Sequence, residues 1–140
     1  MSWTAPGTVE IRALPQGGVG VFATRTIEPR EVIGVFQGVV NAFPLRGGAP
    51  DYGPEDPHMM LDLHDDGNAL YALTLPDVDC PVNRVNHSCS PNCELAGIHG
   101  LTMIASRRIH AGEELSFDYR PVTLRPVMLD CWCHSPACRL

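Results

Sequence analysis

The chain has 140 residues, 44% of them hydrophobic, which suits one domain built on a single packed core. Its net charge is -6, and every one of its ten basic residues is an arginine; an acidic surface of this kind argues against direct nucleic-acid binding and for a basic partner. No apolar run approaches the ~18 residues of a membrane span, and Met1-Ser2-Trp3-Thr4-Ala5-Pro6 lacks the charged-then-apolar pattern of a secretory leader, so the expected setting is intracellular and cytoplasmic.

Thirteen glycines and thirteen prolines predict many turns and short strands rather than long helices. From Thr8 to Leu14, Val9, Ile11 and Ala13 alternate with Glu10 and Arg12, the period of a half-buried strand. Pro15-Gln16-Gly17-Gly18 turns the chain into a second strand, Val19 to Ala23, which can pair with the first as a hairpin. After a turn at Glu28-Pro29-Arg30-Glu31, Val32 to Phe36 and Val39-Val40 continue the sheet. Four prolines and three glycines make residues 44–57 a loop. Met59 to Leu63 and Ala69 to Leu73 flank Asp65-Asp66-Gly67-Asn68, a hairpin turn. Pro76 to Asn92 shows no clear period. Leu101 to Ala105 and Glu114 to Phe117 are short strands around the turn at His110-Ala111-Gly112. The fold class is mostly β. Glu113 and Glu114 follow a glycine turn, one of them facing solvent, and Arg107-Arg108 reads as a solvated pair.

The six cysteines of an intracellular chain are read as metal ligands or buried thiols before disulfides. Cys131-Trp132-Cys133-His134-Ser135-Pro136-Ala137-Cys138 has the spacing C-x-C-x4-C. Three thiolates held this close need a cation, and tetrahedral Zn²⁺ supplies it. His134, inside the tail, is strained as a fourth ligand; Cys89 and Cys93 are the stronger candidates, and either would pin the tail to the domain. Cys80 and Cys93 read most simply as small buried residues.

Asn86-His87-Ser88-Cys89-Ser90-Pro91-Asn92, followed by Gly112-Glu113-Glu114-Leu115-Ser116-Phe117-Asp118-Tyr119, resembles the SET-domain protein lysine methyltransferases. Gly18-Val19-Gly20-Val21-Phe22-Ala23 is similar to that family's early glycine motif, and the cysteine tail to its post-SET zinc motif. The four motifs occur in the family's order across residues 18–138. The resemblance implies short β-sheets with a knot-like threaded C-terminal segment, a SET domain over 8–119 with a variable insert at 44–81, and a post-SET zinc tail over 120–140.

The same resemblance implies S-adenosylmethionine-dependent methyl transfer to the side-chain amine of a lysine; the acidic surface suits a basic partner such as a histone-like or ribosomal protein, and no direct nucleic-acid or membrane contact is expected. Gly18, Val19 and Gly20 would approach the cofactor through backbone; Asn86 and His87 would bind its amino-acid and adenine ends, and Trp132 would cover the adenine or the lysine channel. Tyr119 would be catalytic, lining a channel with Phe36 and Phe117. Phe117 would leave room for two or three methyl groups. Cys89, Cys131, Cys133 and Cys138 would close a structural zinc site. Two departures stand out. Phe36-Gln37-Gly38 replaces the family's Tyr-x-Gly and removes a channel hydroxyl; Asn83-Arg84 replaces Arg-Phe ahead of the Asn-His motif. The first departure admits an alternative, a catalytically weak SET fold that only binds lysine peptides.

Overall fold

The structure is a computed structural model that describes residues 1–54 and 60–124. In chain order the strands are β1 (Trp3–Thr4), β2 (Val9–Ala13), β3 (Val19–Ala23), β4 (Val32–Val35), β5 (Val39–Arg46) and β6 (Ala49–Pro50). They continue with β7 (Met60–Asp65), β8 (Ala69–Thr74), β9 (Asn86–His87), β10 (Cys93–Ala96), β11 (Thr102–Ala105) and β12 (Ser116–Phe117). Short 3₁₀ turns occupy Pro81–Arg84, Ile98–Gly100 and Arg120–Val122. Strands predominate among the described residues, as the glycine and proline content predicts. No helix among them is long and apolar enough to cross a membrane.

The strands form four small sheets: β1-β4-β11-β10, the hairpin β2-β3, β6-β5-β8-β7, and the parallel pair β12-β9. Val21, Ala23, Ile27, Ile33, Met103 and Leu115 are fully buried where these sheets meet. Residues between strands stitch the sheets together. Ile27 and Ile109 exchange backbone hydrogen bonds of 2.8 and 2.9 Å, and Leu115 N donates to Val21 O at 2.7 Å. The hairpin and the segment leading into β12 are thereby held side by side.

Two predicted hairpins form: β2 pairs β3 from Val9↔Ala23 to Ala13↔Val19, and β7 pairs β8 around Asp65–Asn68. Elsewhere the structure corrects the expectations. Residues 44–57 are not all loop. β5 runs on through Pro44 to Arg46 and turns at Gly47-Gly48, whose φ angles of 61° and 82° suit a tight hairpin into β6. Pro44 is tolerated because its carbonyl, not its missing N–H, makes the contact, accepting from Asp51 N at 2.8 Å. Ile11 is 37% exposed on β2, which among the described residues pairs only with β3. The strands expected over Leu101 to Ala105 and Glu114 to Phe117 form shorter, as β11 and β12, and in different sheets: β11 lies between β4 and β10, while β12 pairs with β9. Arg107 and Arg108 are exposed but ion-paired, with Glu113 at 3.2 Å and Glu28 at 3.1 Å.

The β9-β12 pair is only two residues long on each side, Ser116↔Asn86 and Phe117↔His87. Its own backbone bonds cannot fix it. Asn92, 4% exposed, does so from outside. Its Nδ2 donates to Glu114 O at 2.9 Å, and its Oδ1 accepts from Ser116 N at 2.9 Å. Asn92→Ala leaves that N–H and carbonyl buried without partners. The expected loss is roughly 2–4 kcal/mol of stability, read from the urea unfolding midpoint.

Candidate functional site

β4, β12 and the turn after β12 bring three aromatic rings to one place. The Phe36 and Phe117 centroids are 6.1 Å apart, and those of Phe117 and Tyr119 are 4.7 Å apart. With Leu61, Val82 and Val85 they wall a cavity of about 100 Å³. All three residues expected in a substrate channel are therefore neighbours. Phe36 and Phe117 are 2% and 5% exposed, so this part of the wall is apolar, and a side chain entering against it would shed its water.

Tyr119 closes one end. Its hydroxyl donates to Val85 O at 2.6 Å, which commits the phenolic hydrogen and leaves the oxygen lone pairs as its outward face. Burial, assisted by the negative charge of Glu114, pushes the phenol up to about 12, so Tyr119 stays neutral through the physiological range. The backbone N–H of Tyr119 donates to His87 Nδ1 at 2.9 Å, and the two rings meet edge to face at 5.3 Å. Because Nδ1 accepts, a neutral His87 carries its hydrogen on Nε2, which lies 3.3 Å from Cys89 Sγ. Burial lowers the His87 pKa, with Asp118 opposing and Arg120 adding to the shift. Both ring nitrogens of His87 thus face protein atoms and position Tyr119 and Cys89.

Asn86, one residue earlier, points toward the glycine segment. Its Nδ2 donates to Val19 O at 2.8 Å and to Glu114 Oε2 at 3.0 Å. Both amide hydrogens are used, and Oδ1 is the atom left to meet a donor. Gly18, with φ of 71°, makes the turn into β3. At Gly20 a Cβ would lie 2.6 Å from Glu114 Oε2, so the missing side chain makes room for the carboxylate that holds Asn86. Sequence reasoning missed Glu114. The alternation Glu114, Leu115, Ser116, Phe117 could have found it: Leu115 and Phe117 are buried, which turns Glu114 to the other face. Glu113, its partly buried neighbour, accepts from His110 N and Arg107.

A second polar cluster borders the cavity. Asn83 lines it, and Asn83 Nδ2 donates to Asp77 O at 3.0 Å and to Asp77 Oδ1 at 3.2 Å. Asn83 Oδ1 and Asp77 Oδ2 are both buried, and neither has a hydrogen-bond partner among the described residues.

The cysteines divide. Cys89 is buried beside His87. Cys93 sits in the core on β10, where burial pushes its thiol up to about 12. Cys80, expected to be buried, is only partly so, and its Sγ lies 3.2 Å from Thr4 Oγ1. Cys131, Trp132, Cys133 and Cys138 lie outside the described residues. Among the described residues no three His, Cys, Asp or Glu side chains gather around a metal-sized space.

The state of Tyr119 is directly measurable. In an ultraviolet titration of the three tyrosines, one is expected to ionise last, near pH 12, and Tyr119→Phe to lack that step. The sign follows from linkage: the raised native pKa stabilises the fold below about pH 10, and that contribution is lost as pH climbs toward 12.

Comparison with known proteins bears on this geometry. The SET domain family pattern matches residues 18–120. The chain is 37% identical over 83 residues to the histone-lysine N-methyltransferase ash1 of Drosophila melanogaster, covering 55% of this chain and 4% of that protein. It is 30% identical over 128 residues to the "histone-lysine N-methyltransferase, H3 lysine-36 specific" of Eremothecium gossypii, covering 86% of this chain and 18% of that protein. Against human histone-lysine N-methyltransferase 2B, identity is 29% over 138 residues, covering 87% of this chain and 5% of that protein. The chain thus spans a small part of the curated relatives it matches.

Proposed function

The chain belongs to the SET-domain family, and from that membership we propose that it transfers a methyl group from S-adenosylmethionine to the side-chain amine of a lysine in a basic protein. The observation that carries this reading is the placement of Tyr119. Its oxygen stands at the wall of an apolar cavity, and its backbone is tied through His87 to Asn86, which is bonded to the glycine segment. These hydrogen bonds link residues proposed for the cofactor, Asn86 and Val19, to Tyr119, proposed for the lysine. The named relatives are histone-lysine methyltransferases, so a histone tail is the first substrate to test, and the acidic composition suits such a partner.

The cofactor supplies a methyl group on a positively charged sulfur. Asn86 Oδ1, fixed by its bonded Nδ2, would accept from the cofactor's amino end, with the Glu114 charge behind it. Gly18, Val19 and Gly20 would meet it through backbone. A lysine amine with its usual pKa of about 10.4 is almost wholly protonated at neutral pH. The apolar walls of Phe36, Phe117 and Val85 disfavour the ammonium and help to release that proton. Tyr119, neutral and with its hydrogen given to Val85 O, meets the amine as an acceptor rather than as a base. It aims the nitrogen lone pair, and alignment in a dry pocket supplies much of the rate. Phe117 leaves room for further methyl groups.

Zinc belongs to the same proposal. Cys89, buried on the segment that carries Asn86 and His87, fits one thiolate donor; Cys131, Cys133 and Cys138 would supply the others, in a closed structural site. Together with a threaded C-terminal segment this would give the arrangement in which a post-SET tail over 120–140 follows a SET domain over 8–119.

The test is mass spectrometry of core histones incubated with the purified protein and isotope-labelled cofactor. Labelled methyl on lysine supports the proposal. Cofactor binding with no transfer to any lysine substrate overturns it and leaves a peptide-binding module. Tyr119→Phe is expected to lower the transfer rate about a hundredfold or more while the calorimetric cofactor affinity stays within about threefold. Metal analysis is expected to give about one zinc per chain, and Cys89→Ser to lower both zinc content and thermal midpoint. Full zinc content in Cys89→Ser removes Cys89 from the ligand set.

A further inference from the structure

Glu114 stands apart from the other carboxylates around the site. Arg107 pairs with Glu113, Arg108 with Glu28 and Arg120 with Asp118. No salt bridge among the described residues reaches Glu114. It is half-buried, and its Oε2 accepts one hydrogen bond, from Asn86 Nδ2 at 3.0 Å. A carboxylate drawn out of water with a neutral donor and no cation is costly, and the cost falls when a positive charge arrives. The fold makes room for it all the same: a Cβ at Gly20 would lie 2.6 Å from Oε2. Its charge also acts on Tyr119, where it assists burial in raising the phenol. Glu114 thus lies against two residues proposed for the cofactor, Gly20 and Asn86, and acts through space on the one proposed for the lysine.

We infer that Glu114 is the counter-charge of the bound methyl donor, a positioning residue that holds the Asn86 amide and makes the site prefer the positively charged cofactor over its neutral, demethylated product. This rests on the methyl-transfer reading above. S-adenosylmethionine carries an ammonium, a carboxylate and a sulfonium, and so a net positive charge. In transfer the C–S bond breaks and an N–C bond forms; the electron pair of the broken bond stays on sulfur, and the amine gives one proton to solvent. The product keeps its ammonium and carboxylate and is uncharged overall. The two ligands therefore differ by one positive charge, at the atom that faces Tyr119 in that reading. A fixed negative charge that acts on Tyr119 acts on that atom too, and in a half-buried place salt and water screen it little. Glu114 tightens the hold on the donor before transfer and loosens it afterwards, so the spent cofactor can exchange. Its hydrogen bond does a separate task. With Val19 O, the carboxylate takes both amide hydrogens of Asn86 and keeps Oδ1 turned outward.

The experiment measures, by calorimetry, the affinity of parent and Glu114→Gln for S-adenosylmethionine and for its demethylated product. Glutamine keeps the length of the side chain and an oxygen for Asn86 Nδ2, and removes the charge. The dissociation constant for the charged cofactor is expected to rise about fivefold or more, and that for the product to change less than about twofold. A merely structural role would weaken both ligands together. Equal shifts for the two ligands, or no shift for either, overturn the inference. Gly20→Ala keeps it testable if the glutamine variant does not fold, since the new methyl displaces the carboxylate from its place. The ratio of the two dissociation constants is then expected to move in the same direction by about threefold or more, and an unchanged ratio overturns the inference. A parent that binds neither ligand overturns it together with the transfer reading. A parent that binds both ligands and methylates no lysine sinks the transfer reading alone, and the affinity ratio still decides the role of Glu114.

Discussion

Everything in the site hangs on one short parallel contact, Asn86–His87 against Ser116–Phe117. Two residues on each side cannot hold a register by themselves, since parallel pairing is weak per residue. Three side chains supply what the backbone lacks. Asn92 grips the strand into β12 at Glu114 and Ser116. Asn86 reaches to Val19 and Glu114. His87 takes the N–H of Tyr119. Each is a polar group in a semi-buried place with its bonds made internally, and such groups fix geometry because breaking any one leaves a buried partner unsatisfied.

That rigidity explains the chemistry available. The chain uses its polar groups to position and its apolar groups to dry. Tyr119 is held neutral by burial and is aimed by Val85 O, Phe117 and His87 at once. Asn86 has its amide orientation decided by two acceptors, so its free oxygen faces a predetermined way. Phe36, Phe117 and Val85 exclude water and disfavour a protonated amine. A site organised like this needs no strong base. The proposed transfer would need an amine, a methyl donor and little freedom for either.

The sequence made some of this legible. Alternation and a glycine turn showed the β2-β3 hairpin, and Asp65–Asn68 showed the β7-β8 hairpin, because in both the pairing is local. β9 and β12 carry no period, being two residues each, and their pairing spans about thirty positions of chain that no local rule reads. The motif resemblance reached them instead, and it placed Phe36, Phe117 and Tyr119 in one pocket where the structure also has them. Glu114 escaped because its meaning lies in Gly20 and Asn86, both distant in sequence. The β5-β6 turn escaped because Pro44 looked like a strand breaker, although only its carbonyl is used. The unpaired oxygens of Asn83 and Asp77 could be seen only once the cavity existed.

The central claim is that a lysine amine is received by the oxygen of Tyr119 while the Tyr119 hydroxyl keeps donating its hydrogen to Val85 O. A crystal structure with the demethylated cofactor product and a lysine-bearing histone H3 peptide examines it most directly. The account predicts the peptide nitrogen within hydrogen-bond distance of Tyr119 Oη, the bond from Tyr119 to Val85 O intact, and Asn86 Oδ1 on the cofactor's amino end. A lysine bound outside the Phe36–Phe117–Tyr119 pocket, or a Tyr119 turned away from Val85 to donate elsewhere, would contradict it.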